Sequence, residues 1–182
     1  MRHLFECMRK GNKKQRNAYN TIIELGIFEE MNVYRPVLCG TIPLGIDLDH
    51  SDLDIVMEVK DLDRFEKKLN NLYGSKPSFK INRKLIRGRE AVKANFLFNN
   101  FELELFGQDQ PIHCQNAYLH MIIEYEIIKS NPALKDKVIE LKEHGYKTEP
   151  AFCELLDISG DPYEALIQYG IKEGIIIGEG LV

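Results

Sequence analysis

Apolar residues recur at three-to-four-residue spacing in some stretches of this chain and alternate with polar ones in others, so both helices and strands are predicted. After Gly11, Asn12 can cap a helix whose Ala18, Tyr19, Ile22, Ile23 and Leu25 form an apolar stripe ending near Gly26. Pro36 leads into Val37-Leu38-Cys39, a short apolar run closed by Gly40, which predicts a buried strand ending in a tight turn. The run Asp52-Leu53-Asp54-Ile55-Val56-Met57 alternates and predicts a second strand. Asp61 can cap a helix over 61–72 carrying Leu62, Phe65, Leu69 and Leu72, which Gly74 to Pro77 breaks. The basic stretch 80–93 contains Gly88 and fits strand or loop, whereas 94–98 and 101–106 flank Asn99-Asn100 as the arms of a hairpin. Beyond Pro111 the spacing is helical, with three closing helices predicted over 116–129, 132–144 and about 162–169. The tail, Gly170 to Val182, fits a packed strand or a short helix. There is no internal repeat, low-complexity segment or linker.

This order predicts an α/β (α+β) protein. With 182 residues and 44% hydrophobic content, the chain is long enough for one proper core and too short for two large enzyme domains. We expect one domain over 1–182, with its core at about 12–110 and a helical C-terminal part at about 111–182. The net charge of −4 lacks the basic excess of a protein that grips phosphates, which favours a small or acidic-tolerant substrate over nucleic acid. No run of eighteen apolar residues and no signal-peptide core is present, so the expectation is a soluble, cytoplasmic protein with no membrane association. Cys7, Cys39, Cys114 and Cys153 are scattered and read as buried reduced thiols. Nothing in the pattern sets an oligomeric state.

The candidate chemistry lies in residues 40–57, GTIPLGIDLDHSDLDIVM. A strand's period of two puts Asp52 and Asp54 on one face. Two carboxylates so placed on a mainly apolar strand repel each other and resist burial unless solvent or a cation screens them. A hard divalent ion, Mg²⁺ or Mn²⁺, suits such oxygen ligands. The plainer reading is that the pair lines the polar side of an edge strand. Glu102 and Glu104, alternating with Phe101, Leu103 and Leu105, supply further carboxylates on a neighbouring predicted strand.

The order Cys39-Gly40-Thr41, then Asp52-Leu53-Asp54-Ile55 after a ten-residue gap, resembles the signature of the nucleotidyltransferase superfamily, which includes DNA polymerase beta and the kanamycin nucleotidyltransferases. Thr41 stands where that pattern has Ser or Gly, and its hydroxyl can still donate to a phosphate oxygen. Over its whole length the chain also resembles the bacterial domain-of-unknown-function 4269 family. That likeness is carried by 40–44 (GTIPL), 106–108 (FGQ), 115–120 (QNAYLH), 147–152 (KTEPAF) and 160–163 (GDPY). The resemblance implies a small mixed sheet flanked by helices, with the C-terminal helices walling one side of a cleft.

It also implies a third carboxylate, Glu104 or Glu102, with Glu104 favoured because it ends the strand in Glu104-Leu105-Phe106-Gly107. Asp52 and Asp54 would bridge two ions about 3.5–4 Å apart, Glu104 would hold the one nearer the attacking group, and Gly40 and Thr41 would steady the phosphates. The expected donor is a nucleoside triphosphate such as ATP, and the expected acceptor a hydroxyl on a small molecule or protein. A binding module that keeps the fold without turnover is the alternative, and an RNA-directed transferase is disfavoured by the net charge.

Other polar residues have plainer roles. Lys93 and Arg89 can meet a triphosphate or stay solvated. His120 and Glu124, one helical turn apart, read as a structural pair. Tyr118, Gln115 and Gln108 can line an acceptor pocket or pack helices. His3, His50, His113 and His144 are isolated and receive no role.

Overall fold

The alternating run around Asp54 becomes an interior strand of a five-stranded mixed sheet in the computed structural model, which describes residues 2–178. The strands are β1 (Val37–Cys39), β2 (Leu53–Glu58), β3 (Lys80–Ile86), β4 (Arg89–Phe98) and β5 (Phe101–Gln108), in the spatial order β1-β2-β5-β4-β3. β1 is antiparallel to β2, β2 is parallel to β5, and β3, β4 and β5 form an antiparallel meander. The undecided basic stretch is therefore β3 and the first half of β4. A two-residue turn joins them, with Arg87 and Gly88 both at positive φ (50° and 75°), the backbone that matches strand twist in tight hairpins. Asn99 and Asn100 make the same kind of turn between β4 and β5, as predicted.

Eight α-helices surround the sheet among the described residues: α1 (Arg2–Met8), α2 (Lys13–Leu25), α3 (Ile27–Glu30), α4 (Leu62–Tyr73), α5 (Asn116–Ser130), α6 (Leu134–Glu143), α7 (Thr148–Leu155) and α8 (Pro162–Lys172). Asn12 caps α2 in a reciprocal box with Gln15, and Gly26, at φ 66°, ends it. Asp61 caps α4 by accepting from the Arg64 amide at 2.9 Å. The predicted stripe of α2 is partly corrected: Ala18 and Ile22 are buried, whereas Ile23 is 52% exposed on the outer face.

Four helices follow the sheet rather than three. α7 escapes the sequence pattern because it is only eight residues long and holds Pro150 in its first turn, where proline costs no helical hydrogen bond. The start of the tail is helix rather than strand: α8 continues through Gly170, pressed against Ile123, to Lys172, and residues 179–182 lie outside the described residues.

Apolar side chains pack on both faces of the sheet. On one, Leu53, Ile55, Met57, Leu103 and Leu105 meet Ile22 of α2 and Phe65 and Leu69 of α4. Phe65 and Phe96 there are fully buried, each worth about 1.5–3 kcal/mol relative to exposure. On the other, Cys39 and Val56 belong to a cluster built mostly from α5 to α8, including Leu119, Ile123, Val138, Phe152 and Leu166. Three of the four thiols are buried as expected, but Cys7 on α1 is exposed.

Candidate functional site

The loop between β1 and β2 sets the site. It begins at Gly40, whose φ of 78° turns the chain out of β1. Ile42, Leu44 and Ile46 then point into the core, which fixes the loop against the helices. Side chains from two helices hold its carbonyls. Gln15 of α2 donates from Nε2 to Ile42 at 3.0 Å and Pro43 at 3.2 Å, and Lys142 of α6 donates from Nζ to Ile46 at 2.6 Å. Lys14 meets the carbonyls of Leu48 and Asp49 and lies 3.4 Å from the Asp47 carboxylate. The Ser51 hydroxyl accepts from the Leu48 amide at 2.9 Å and from Thr41 Oγ1 at 3.4 Å. The loop thus delivers Asp52 to β2 on a fixed path.

Parallel pairing then sets Asp54 opposite Glu104 of β5, and antiparallel pairing sets Cys39 on its other flank. Carboxylate oxygens of Asp52, Asp54 and Glu104 all lie within 4.8 Å of one another, and all three side chains are half-buried. Glu102 takes no part in this cluster: it is exposed and accepts from Asn95 Nδ2 at 3.1 Å. Lys93 of β4 pairs with the Glu104 carboxylate.

Crowding and burial raise the protonation constants. Burial pushes the Asp54 carboxyl to about 7, helped by Asp52 and Glu104 and opposed by Lys93. Burial also raises Asp52, partly offset by a hydrogen bond from its own backbone amide. The cluster is therefore short of positive charge, and a cation bound by the three carboxylates would relieve that shortage.

A cavity of about 400 Å³ opens beside the triad. Asp54, Glu104, Phe106 and Gln108 line its sheet side, Gln115, Asn116 and Ala117 the start of α5, and Ile86, Arg87 and Arg89 the β3–β4 turn. Gln115 is buried and joins two elements, donating from Nε2 to the carbonyls of Met57 at 3.0 Å and Gln110 at 2.9 Å. Arg87 pairs with Glu164 of α8, tying the hairpin tip to the last helix. Of the residues expected near a pocket, Gln108, Gln115 and Arg89 reach this one, whereas Tyr118 packs among the C-terminal helices.

His120 and Glu124 are buried in the helical half. His120 Nδ1 lies 3.2 Å from Oε1 of Glu149, and its Nε2 lies 2.8 Å from the Tyr163 carbonyl. Both ring nitrogens face acceptors, so the doubly protonated ring satisfies both. Burial opposes that charge, but the bonds to Glu149 and Tyr163 outweigh it and raise the His120 constant. Sequence spacing paired His120 with Glu124 and missed Glu149 and Lys142, which come from two other helices. It also left Lys93 between two roles, neither of them a partner for Glu104. No local pattern could have found these, since each contact joins distant segments.

The described helices include none long and apolar enough to cross a membrane. No curated protein matches the chain. Solved structures do share its fold. A Cid1 poly(U) polymerase bound to MgGTP superposes with a TM-score of 0.54 at 13% identity, over 78% of this chain and 46% of that one. The GLD-2/RNP-8 complex superposes with a TM-score of 0.56 at 13% identity, over 99% of this chain and 74% of that one. The chain thus spans about half the length of the Cid1 chain. The fold is that of the nucleotidyltransferases, as the Gly40-Thr41 and Asp52-Leu53-Asp54 pattern implied. The family model described as "Domain of unknown function (DUF4269)" matches residues 20–169, and the chain belongs to that family.

Proposed function

We propose that this protein is a metal-dependent nucleotidyltransferase that moves a nucleotidyl group from a nucleoside triphosphate, such as ATP, to an acceptor hydroxyl. The observation that carries the reading is the convergence of Asp52, Asp54 and Glu104 from two neighbouring strands. Three hard oxygen donors within 4.8 Å fit Mg²⁺ or Mn²⁺, and the raised Asp54 constant fits a site that gains from a cation. The similar fold of a polymerase holding MgGTP supports a triphosphate donor.

Asp52, Asp54 and Glu104 would hold the metal, which when bound polarises the phosphates and lowers the charge that develops on the leaving group. The amide of Thr41, next to Gly40, would donate to a phosphate oxygen, and its hydroxyl would do so by turning from Ser51. The cavity beside Phe106 takes the nucleoside, and at about 400 Å³ it falls within the usual range for such ligands. The acceptor oxygen bonds to the α-phosphorus, and the bond from that phosphorus to the bridging oxygen breaks. Pyrophosphate leaves with the electron pair, and Glu104 takes the hydroxyl proton.

The Lys93–Glu104 ion pair favours a second reading, a binding module without turnover, because a tethered ammonium already neutralises part of the cluster. Thermal-shift screening of the four triphosphates with Mg²⁺ or Mn²⁺ separates the two, using wild type and the double variant Asp52→Ala/Asp54→Ala. The transferase reading expects metal-dependent stabilisation by a triphosphate, lost in the double variant, followed by pyrophosphate release when acceptor is present. No response to any metal and triphosphate pair would leave the binding module.

A further inference from the structure

The sheet register assigns every strand residue to a face. Asp54, Glu104, Asn95 and Lys80 stand in one row across β2, β5, β4 and β3, so all four side chains share the face of the triad. The next row on that face is Val56, Phe106, Lys93 and Asn82, and the one after is Glu58, Gln108, Ala91 and Lys84. Arg89 continues it at the hairpin end. Charge separates along these rows: the carboxylates sit on β2 and β5, while Lys80, Lys84, Arg89 and Lys93 sit on β3 and β4.

The cations beyond Lys93 are not spent on salt bridges. Among the described residues, Lys80, Lys84 and Arg89 pair with no carboxylate, and all three are exposed. On the opposite face, by contrast, Arg83 of β3 is held by Asp63 and Glu66 of α4. The C-terminal helices meet this half at the hairpin tip, where Glu164 pairs with Arg87, and the apolar cluster they build includes no residue of β3 or β4. The result is an open, basic sheet surface that runs from the triad to the sheet edge. β3 lies three strands from β2, roughly 14 Å away, and Lys80 and Lys84 are roughly 13 Å apart along β3.

We propose that this surface is a track for the acceptor, and that the acceptor is a single-stranded polynucleotide whose terminal hydroxyl reaches Glu104 while its phosphates lie over Lys93, Lys80 and Lys84. The inference rests on the nucleotidyl-transfer reading of the triad. The cations extend too far from the carboxylates to serve a metabolite with one phosphate, and they match a chain of phosphates in sign and extent. The β3–β4 rows offer Asn82, Asn95 and Ala91 between the cations and no aromatic ring, so the contact is to phosphate and tolerant of sequence. The acidic net charge of the whole chain does not oppose this, because exposed charges beyond about 10 Å are screened and the local field is what a bound strand meets.

The test is fluorescence anisotropy with a labelled oligoadenylate RNA of about 15 nucleotides in EDTA, across a salt series. Wild type is compared with Lys80→Glu/Lys84→Glu and with the milder Lys80→Gln/Lys84→Gln, each checked for fold by circular dichroism. Stabilisation by metal and triphosphate is measured on the same protein preparations in EDTA-free buffer. We expect salt-dependent binding by wild type. The glutamine variant should weaken it about tenfold and flatten the log–log salt slope by about 1.4, the loss of two phosphate contacts on a single strand. The triphosphate response should be unchanged. Equal affinity and slope in folded variants would overturn the proposal, as would absence of salt-dependent binding by a wild type that still responds to triphosphate. Binding that follows the lysines in a protein indifferent to triphosphate would uphold the track and remove the transfer reading instead.

Discussion

A methyl group placed on Gly40 would stand 2.3 Å from Oδ2 of Asp54, so the chain leaves β1 with room for nothing larger than hydrogen beside the central carboxylate. The same residue has a φ of 78°, which side chains resist. One glycine therefore turns the chain into the loop and sets how closely that loop approaches the triad.

Gly40→Ala should accordingly cost about 1–2 kcal/mol of stability through the left-handed backbone alone. It should also displace the Asp54 carboxylate and weaken metal-dependent triphosphate binding about tenfold or more. Chemical denaturation and calorimetric titration read the two effects separately. Unaltered triphosphate affinity would remove Gly40 from the site.

Lys93→Met removes the ammonium that pairs with Glu104 while keeping the side chain's apolar length. Without it the three carboxylates repel more strongly, so the melting temperature in EDTA should fall. The gain on adding Mg²⁺ or Mn²⁺ should exceed that of wild type, since the ion no longer competes with a tethered cation. A smaller metal-induced shift in the variant would mean that Lys93 supports metal binding rather than opposing it.

Burial, reinforced by the Glu149 carboxylate and opposed by His120 and Lys142, pushes Glu124 from 4.5 to about 8. Between those values the folded protein holds a proton that the unfolded chain has released. Stability from the protonated form is thus fully present below about pH 4.5 and is lost as the pH rises through about 8. Glu124→Gln imitates the protonated acid, so its advantage in melting temperature over wild type should be small at pH 5 and grow by pH 9. A difference that does not change with pH would show that Glu124 is ionised throughout.

A methyl group on Gly107 would come within 2.5 Å of the Phe65 ring and 2.6 Å of Val59 Cγ2. Phe65 is fully buried and cannot swing aside, so Gly107→Ala should destabilise by about 1–3 kcal/mol, as overpacked cores do. Urea denaturation checks this. Because Gly107 faces away from the triad, any triphosphate response should persist wherever the variant remains folded.

The elements of the site were legible in sequence because they obey short-range rules. The period of two in 52–57 put both aspartates on one face, Gly40 marked the turn, and Asn99-Asn100 announced the hairpin that carries Glu104. These features depend on a residue and its near neighbours, so composition and spacing suffice. The caps Asn12 and Asp61 belong to the same class.

What joins residues far apart in the chain was decided only by tertiary structure. Whether Glu102 or Glu104 faces Asp54 depends on the register between β2 and β5, whose paired residues lie about fifty positions apart, and either choice satisfies the alternation. The partner of Glu104 depends on which β4 side chain crosses to it. The buried group of His120, Glu149, Glu124 and Lys142 depends on how three helices pack. Net charge is blind to placement for the same reason: −4 is a sum over the chain, whereas folding sorts carboxylates onto β2 and β5 and lysines onto β3 and β4 of one face. Local sequence determines which elements form and which way their side chains alternate, and long-range pairing determines which of those side chains meet.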